Sequence, residues 1–236
     1  MEESRWLQRG ELILGSDKSA KLAASHVLIV WLGGVGSWAA EMLCRAGVGT
    51  FTLIDADTVD VTNINRQMPA LHSTVGAAKC NIVAERLQAI NPDVKLNVKN
   101  IFVDENNIPT LLDEDTPHFV VDAIDTLPSK AALIINCWQR DIKIISSMGA
   151  GAKSDLSLIR QSDLWKSEHC TLAKNLRRLL REWRGRHKLP VIFSLEEPQR
   201  GAIVPNPEGG KPIIGSLGYF TATFGCYITE YVIKNL

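Results

Sequence analysis

The sequence predicts an α/β fold, a Rossmann-like doubly wound sheet with a C-terminal extension. Apolar runs typical of buried parallel strands alternate with helix-like segments, a glycine cluster follows the first run, and acidic residues follow later runs. In such sheets, ligands bind outside the carboxyl ends of the strands. Residues just after each predicted strand are therefore the first candidates for a functional site.

The first unit of this sheet is a strand, a helix and a second strand. Val27–Trp31 is a continuous apolar run that meets Gly33, as expected for a strand buried on both faces and followed by a tight turn. Residues 37–46 favour a helix and stop before Gly47, a suitable C-cap. Thr50–Asp55 has the pattern of a second strand, and the right-handed crossover rule predicts that the two strands are parallel.

The following segments extend this unit in the same manner. Residues 75–90 have apolar positions near helical spacing and end at an Asn-Pro pair, and residues 128–140 carry proline in the first turn of a second helix. Strands are predicted at 95–98, 119–121 and 142–146. The expected order is strand, helix, strand, helix, strand, strand, helix, strand.

The composition is that of an ordinary globular protein. The 236 residues include 26 Lys+Arg and 26 Asp+Glu, so any nucleic-acid contact must come from a local patch. Hydrophobic residues make up 45%, which supplies a sizeable core. We expect residues 1–149 to form a nucleotide-binding core and 150–236 an extension of the same domain, because no polar linker separates them. Residues 198–212, rich in proline and glycine, are expected to form a long surface loop.

Terminal charges, cysteine spacing and hydropathy indicate a cytoplasmic protein. Residues 1–11 lack the apolar run of a secretory signal. The five cysteines contain no C-x-x-C pair, which predicts reduced thiols, and Cys226, in an apolar segment, is expected in the core. The uncharged stretch 213–229 is shorter than the roughly 20 residues that cross a bilayer. It is expected to be buried or interfacial, and peripheral membrane attachment stays open.

The glycine cluster after the first strand indicates a nucleotide site. Gly33, Gly34 and Gly36 lie where backbone amides at a helix N-terminus can approach a phosphate, since glycine has no Cβ to hold it off. Asp55, at the end of the second strand, can accept hydrogen bonds from a ribose. The alternative is a glycine turn needed only for close packing of strand and helix.

Three charged residues favour ATP over a dinucleotide. Arg66 and Lys79 can neutralise a triphosphate, and Asp122, at a strand end, can hold Mg²⁺ near the α-phosphate. A dinucleotide needs neither kind of group. Each residue alone also has a plain structural explanation, namely a loop salt bridge for Arg66, a solvated helix position for Lys79 and a helix cap for Asp122.

Five motifs at or near the strand ends carry a family resemblance. They are Gly33-Gly34-Val35-Gly36-Ser37-Trp38, Leu53-Ile54-Asp55-Ala56-Asp57, Asn63-Ile64-Asn65-Arg66-Gln67, Val121-Asp122-Ala123-Ile124-Asp125 and Ser147-Met148-Gly149-Ala150-Gly151. With them the chain resembles the ubiquitin-activating-enzyme-like adenylyltransferases over nearly its whole length. Residues 70–76 and 224–226 point to the branch that acts on threonylcarbamoyladenosine in tRNA. The paired zinc cysteines usual in the thiamine and molybdopterin branches are absent from the sequence.

The resemblance implies an ATP-dependent dehydratase that adenylates the carboxylate of threonylcarbamoyladenosine and closes a ring, releasing AMP and pyrophosphate. It implies a homodimer in which an arginine of the neighbouring N-terminal segment, Arg9 before Arg5, completes each site. It leaves room for a monovalent cation near Gly149–Gly151 and for a sulfur-transfer protein as a partner. The implied nucleotide residues are Gly33, Gly34, Gly36, Asp55, Asp57, Asn63, Arg66, Lys79 and Asp122, with Asp122 as the Mg²⁺ ligand and with Arg66, Lys79 and Asp122 catalytic.

Trp31 departs from the family pattern, which has glycine at this position. An indole there could fill space that the nucleotide needs. The ring could swing aside and leave weak binding, the site could be disabled, or the position could serve a changed purpose. We expect reduced but measurable affinity for ATP.

A basic stretch at residues 174–188 is the expected contact for tRNA phosphates. Glu182 is the single acidic residue among its many lysines and arginines. Its leucines and Trp183 are spaced so that they could pack one side of a helix against the protein. A solvated helix face is the alternative. The candidate contacts are Lys174, Arg177, Arg178, Arg181 and Arg184.

The ring closure has two candidate routes. The tethered carbamoyl group can attack without an enzyme nucleophile, because tethering supplies a large effective molarity. Cys170, after Glu168-His169, could instead form a thioester. Outside this reaction, the alternatives are an adenylyltransferase for the C-terminus of a sulfur-carrier or ubiquitin-like protein, and a nucleotide-binding homologue impaired by Trp31. An NAD oxidoreductase fits least.

Overall fold

A seven-stranded sheet forms the centre of the computed structural model, which describes residues 5–207, 209–210 and 212–236. The strands are β1 (His26–Val30), β2 (Thr50–Ile54), β3 (Lys95–Lys99), β4 (Phe119–Asp122), β5 (Lys143–Ser147), β6 (Ile159–Asp163) and β7 (Pro190–Ser194). Their order is β3-β2-β1-β4-β5-β7-β6. All neighbours are parallel except β6 and β7, so the fold is the doubly wound α/β type that the sequence predicts.

Helices cover both faces of the sheet. They are α1 (Gln8–Leu14), α2 (Ser16–Ala23), α3 (Gly36–Arg45), α4 (Lys79–Ile90), α5 (Ile108–Asp115), α6 (Leu127–Gln139), α7 (Thr171–Leu179) and α8 (Gly218–Asn235). Alternate residues of β1 serve the two faces: Val27 and Ile29 join a core with α3, α4 and α8, and Leu28 and Val30 join one with α5, α6 and α7.

Two glycines permit the close approaches that shape the site. A Cβ on Gly36 would lie 1.9 Å from the carbonyl oxygen of Trp31, so only glycine can begin α3 directly against the end of β1. A Cβ on Gly225 would lie 2.8 Å from Cβ of Trp38, which fixes how closely α8 packs on α3. The last helix of the chain is thereby held against the helix that follows the glycine cluster.

The structure adds elements that the sequence pattern did not predict. Helix α5 lies between β3 and β4, α1 and α2 precede the sheet, and β6 and β7 add two strands to one edge of it. Within the expected loop 198–212, β8 (Ile203–Val204) forms a short hairpin with β9 (Ile213–Ile214), which follows that loop. Helix α4 begins at Lys79 rather than at residue 75, because Gly76 has a positive φ of 87°. The other predicted strands and helices up to residue 147 begin and end within one residue of their expected positions, whereas the helix expected within 174–188 is α7, which spans Thr171–Leu179.

The apolar C-terminal segment forms α8, and its cysteine is not in the core. Cys226 is exposed, since it lies on the solvent side of α8, and all five cysteines are free. Within the part of the chain that is described, no helix is long and apolar enough to cross a membrane.

Candidate nucleotide site

A cavity of about 430 Å³ lies at the carboxyl ends of β1, β4 and β5. The glycine loop 33–36, together with Arg66 and Gln67, lines one part of it, and residues 123–125 and 147–151 line another. Trp31 also lines the cavity, and the C-terminal segments add Leu172, Ile214, Ser216 and Thr221. Its position is the one where doubly wound sheets bind ligands, and its volume suits a nucleotide.

The glycine loop meets the cavity as the sequence predicts. Gly33, Gly34 and Gly36 all line it, and α3 begins at Gly36, so the helix N-terminus faces the same space. The hydroxyl of Ser37 donates to the carbonyl of Gly33 at 2.6 Å, which ties the loop to the first turn of α3. Unpaired backbone amides at this helix end favour an anion such as a phosphate.

The carboxylate of Asp55 is anchored to the backbone at the end of β2. Its Oδ2 accepts the amide N–H of Leu32 at 2.6 Å, and its Oδ1 accepts that of Asp57 at 2.8 Å. Burial raises the pKa of Asp55 despite these two hydrogen bonds, since the charged form loses its water. Asp55 thereby links the strand end to the start of the glycine loop, and this residue is 2% exposed and lies outside the cavity lining.

Lys79 and Asp57 form an ion pair beside the cavity. Nζ of Lys79 lies 2.8 Å from Oδ2 of Asp57, with the lysine side chain 5% exposed and the aspartate side chain 48% exposed. Asn63 lies nearby, where its Oδ1 accepts the amide N–H of Asp60 at 3.2 Å. None of these three predicted nucleotide residues belongs to the cavity lining, so they border the site rather than form its wall.

Arg66 lines the cavity and is held by its own loop. One guanidinium nitrogen donates to the carbonyl of Thr62 and to Oδ1 of Asn65, both at 2.9 Å. Partial burial lowers the pKa of Arg66, which leaves it charged at any ordinary pH because its reference value is so high. The indole N–H of Trp38 donates to the carbonyl of Arg66 at 3.3 Å, which fixes the backbone here.

Asp122 differs from the expectation that it faces the nucleotide. Its side chain is fully buried: Oδ2 accepts the hydroxyl of Ser146 at 2.6 Å and lies 2.9 Å from Nζ of Lys130, and Oδ1 accepts the amide N–H of Ile124 at 3.0 Å. Asp122 is accordingly absent from the residues that line the cavity. Asp125, on the loop that follows β4, is the acidic residue that lines it.

Trp31 lies at the edge of the cavity. Its backbone has a φ of 78°, the left-handed region that glycine adopts freely and tryptophan rarely does. The ring packs edge-on against Phe102, with the ring centroids 6.2 Å apart, and the cavity beside it keeps its 430 Å³. Trp31 therefore forms part of the cavity wall and leaves the rest of the cavity open.

Cys170 caps the N-terminus of α7 next to the cavity. Its Sγ accepts the amide N–H groups of Ala173 and Gly149, each at 3.4 Å. The side chain lines a neighbouring depression rather than the nucleotide cavity. Arg9 lies exposed on α1 and is outside the cavity lining of its own chain.

Most of the predicted tRNA contacts are exposed. Lys174, Arg178, Arg181 and Arg184 face solvent around α7 and the turn that follows it. Arg177 differs, since its guanidinium donates to the carbonyls of Ser167 at 2.8 Å and Leu164 at 3.2 Å. It fastens α7 to the chain before it and is poorly placed for a phosphate.

Two residues of this region have no assigned part in the sequence analysis. Lys130 forms an ion pair with Asp122. The sequence feature that could have indicated this role is a lysine in an otherwise apolar helical segment. Gln67 lines the cavity. Its position directly after Arg66 is the sequence feature that could have indicated this.

The chain is similar to known proteins over almost its full length. The ThiF family model matches residues 7–236. The tRNA threonylcarbamoyladenosine dehydratase of Escherichia coli is 37% identical over 253 aligned residues, covering 98% of this chain and 94% of that one. The enzyme of the same name from Bacillus subtilis is 40% identical over 190 residues, covering 80% and 74%.

A solved structure agrees with these sequence relatives. The Escherichia coli tRNA N6-threonylcarbamoyladenosine dehydratase in complex with ATP superposes with a TM-score of 0.89 at 35% identity, covering 98% of this chain and 93% of that one. Its complex with AMP gives the same TM-score.

Proposed function

The chain belongs to the ThiF family, and from this premise we propose that it is an ATP-dependent tRNA threonylcarbamoyladenosine dehydratase. The observation that carries the proposal is the match to an ATP complex of such an enzyme across 98% of the chain. The cavity at the glycine loop supports it, since it lies where a doubly wound sheet binds a nucleotide. ATP is the nucleotide, and the modified adenosine of tRNA is the acceptor.

The proposed reaction has two steps. A carboxylate oxygen of the threonylcarbamoyl group attacks the α-phosphorus of ATP, which gives an acyl-adenylate and releases pyrophosphate. The carbamoyl part of the same group then attacks the activated carbonyl carbon, loses a proton and expels AMP, which carries away the carboxylate oxygen. The sum is the loss of one water from the modified adenosine, at the expense of ATP. Tethering makes the second step effectively unimolecular.

Positive charge and backbone amides act on the phosphates. The amides of Gly33, Gly34 and Gly36 approach them at the start of α3, and Arg66 supplies charge from the cavity wall. Lys79 would supply a second charge from the border of the site, where Asp57 holds it. Asp55 would accept the ribose hydroxyls, and Asn63 would support the loop that carries Arg66.

The residues present fit a Mg²⁺ ion that takes part of its coordination from the phosphates of ATP. Among the residues described, no group of three or more His, Cys, Asp or Glu side chains could hold a metal. Mg²⁺ is commonly bound by one or two carboxylates together with substrate phosphates, and when bound it neutralises charge that develops on them. We assign the carboxylate to Asp125 instead of Asp122, because Asp125 lines the cavity. A monovalent cation near Gly149–Gly151 remains part of the proposal.

The assembly we propose is a homodimer that binds tRNA in the cytoplasm. Leu12 and Ile13 on α1 are 83% and 86% exposed, which is unusual for large apolar side chains and supports burial against a second copy. Arg9, on the same helix, would then reach the partner's site. The exposed cations around α7 would contact the tRNA phosphates. A sulfur-transfer protein and a membrane surface gain no support from the described residues.

We also propose that residues 1–149 and 150–236 form one domain. Strand β7 extends the sheet by pairing with β5, and α8 packs on α3. Both halves line the cavity, which favours a single folding unit with one site.

The test is nucleoside mass spectrometry of tRNA incubated with the protein and ATP. Threonylcarbamoyladenosine should lose the mass of water, with one AMP formed per adenosine converted, and the Arg66→Ala variant should form little product. Unchanged tRNA together with pyrophosphate exchange that depends on a carrier protein would refute the proposal and favour a carrier-protein adenylyltransferase.

A further inference from the structure

The nucleotide cavity contains a buried carboxamide whose oxygen has no partner. Gln67 is 9% exposed and lines the cavity, and its Oε1 is shielded from solvent without accepting a hydrogen bond. In the described part of the chain, only the indole nitrogens of Trp138 and Trp165 share this condition, and neither residue lines the cavity. A buried acceptor is normally satisfied, so an unpaired one at a ligand site indicates that a ligand completes it.

The backbone around Gln67 is fixed. The amide N–H of Gln67 donates to the carbonyl of Asn63 at 2.9 Å, and the carbonyl of Gln67 accepts the amide N–H of Ala70 at 3.1 Å. The preceding carbonyl, that of Arg66, accepts the indole N–H of Trp38. The unpaired oxygen therefore belongs to a side chain whose own backbone is held by hydrogen bonds on both sides.

The carboxamide lies over the phosphate end of the site. Nε2 of Gln67 is 3.6 Å from where a Cβ on Gly33 would be, so the amide group covers the start of the glycine loop. Asp55, the candidate ribose ligand, accepts the backbone amide of Leu32, the residue before this glycine. The amide group of Gln67 therefore lies against the loop where the proposed reaction brings the α-phosphate and the attacking carboxylate together.

The chemistry of the reactants selects the partner of Oε1. Phosphate and carboxylate oxygens only accept hydrogen bonds, so they cannot satisfy a carbonyl oxygen, but they can accept from the amide nitrogen. The threonyl group carries a hydroxyl on the carbon next to the one that bears the carboxylate. That hydroxyl is a donor that arrives together with the reacting carboxylate.

We infer that Gln67 recognises the acid that is adenylated: Oε1 accepts the threonyl hydroxyl while Nε2 donates to the reacting carboxylate. This inference rests on the proposed function and adds to it a residue that selects for a β-hydroxy acid. An acid without the hydroxyl, such as the glycyl analogue or a carrier protein ending in glycine, leaves Oε1 buried and unpaired. A site built to bond a hydroxyl rejects analogues that lack it.

The experiment compares two tRNA substrates that differ by the hydroxyl-bearing branch. One carries threonylcarbamoyladenosine and the other its glycyl analogue, and kcat/KM for AMP release is measured with each. We expect the native protein to prefer the threonyl substrate by about tenfold or more. Gln67→Met, which keeps the length of the side chain without its polar atoms, should lower the threonyl rate until the preference nearly vanishes. Its affinity for ATP, measured by calorimetry, should be unchanged.

Two further variants act as controls. Gln161→Met makes the same exchange at an exposed position of β6 and should keep the full preference. Gln67→Glu keeps an acceptor oxygen and replaces the donor, so it should keep the preference while slowing both substrates, and it serves if Gln67→Met does not fold.

The outcomes separate this inference from the proposed function. A Gln67→Met protein that keeps the native preference would overturn the inference, as would one that loses ATP affinity and slows both substrates equally, since the amide would then belong to the nucleotide. Native protein that converts neither tRNA would instead refute the proposed function.

Discussion

Nζ of Lys130 lies 2.9 Å from Oδ2 of Asp122, and neither side chain has exposed surface. The same ammonium group donates to the carbonyl of Ile124 at 2.9 Å, and Asp122 also accepts the hydroxyl of Ser146 on the neighbouring strand. This pair joins the ends of β4 and β5 to the loop that carries Asp125 into the cavity. This buried ion pair thus bonds the backbone of Ile124, which lines the cavity, although neither Lys130 nor Asp122 lines it.

Lys130→Met should destabilise the protein strongly. The variant leaves a buried carboxylate without its counter-charge, which costs about 3–5 kcal/mol. Urea unfolding followed by circular dichroism measures the change. The double variant Lys130→Met with Asp122→Leu should recover part of the loss, because no buried charge then remains. A double variant whose loss equals the sum of the single losses would show that the two residues do not interact.

Asp125→Asn should raise the Mg²⁺ requirement of AMP formation. We expect the half-saturating Mg²⁺ concentration to rise about tenfold or more, because one carboxylate ligand is lost. Asp122→Asn is the matched control and should lower the unfolding midpoint. If Asp125→Asn needs no more Mg²⁺ than the native protein, the metal lies elsewhere.

Trp31→Gly and Trp31→Ala separate the backbone strain from the bulk of the ring. Both remove the indole, but alanine keeps a Cβ at a φ of 78°. The glycine variant should therefore be more stable than the alanine variant by about 1–2 kcal/mol. Both should bind ATP more tightly than the native protein in a calorimetric titration. Equal affinity in all three would show that the indole does not hinder the nucleotide.

Arg66→Ala and Lys79→Ala should each slow AMP formation. Loss of one group that stabilises developing charge commonly costs about 10²–10³ in rate. Single-turnover assays of AMP release measure the effect, with Arg160→Ala on the exposed edge strand β6 as the control. Asp57→Asn should cost less than Lys79→Ala, because the lysine stays in place. A rate for Lys79→Ala close to the native one would place that lysine outside the reaction.

Arg178→Glu together with Arg181→Glu should weaken tRNA binding and flatten its salt dependence. Each lost phosphate contact lowers the slope of log affinity against log salt by about 0.9 in magnitude. Filter binding at several salt concentrations measures the slope, and ATP affinity should not change. Arg177→Glu should instead lower stability, since Arg177 bonds two backbone carbonyls. An unchanged slope for the double variant would move the tRNA surface away from α7.

The repeating part of the fold was predictable because each buried strand is a continuous apolar run. Helix α5 was not predicted from the sequence, because residues 108–115 mix a proline and acidic residues with the buried Ile108 and Leu112 and so show no clear helical pattern. The β8–β9 hairpin was not predicted either. A segment rich in proline and glycine is typical of a loop, and strands of two residues are too short to show the alternation of apolar and polar residues.

The site was predictable as far as strand ends determine it. The glycine loop and Arg66 lie at the cavity because each belongs to the connection that follows a parallel strand, β1 for the loop and β2 for Arg66. That Asp122 is buried while Asp125 lines the cavity was not predictable, since the burial of Asp122 depends on Lys130 of the next helix. Likewise the anchoring of Arg177 depends on Ser167, a contact that helical spacing does not reveal.

The cavity takes its walls from the glycine loop near residue 33 and from Ile214, Ser216 and Thr221. A chain still emerging from the ribosome therefore lacks one side of its pocket until the last helix has been synthesised. The early βαβ unit can form while translation continues, but it cannot enclose ATP. Catalytic competence therefore requires the segment from Ile214 to Thr221, which lies more than 170 residues after the glycine loop.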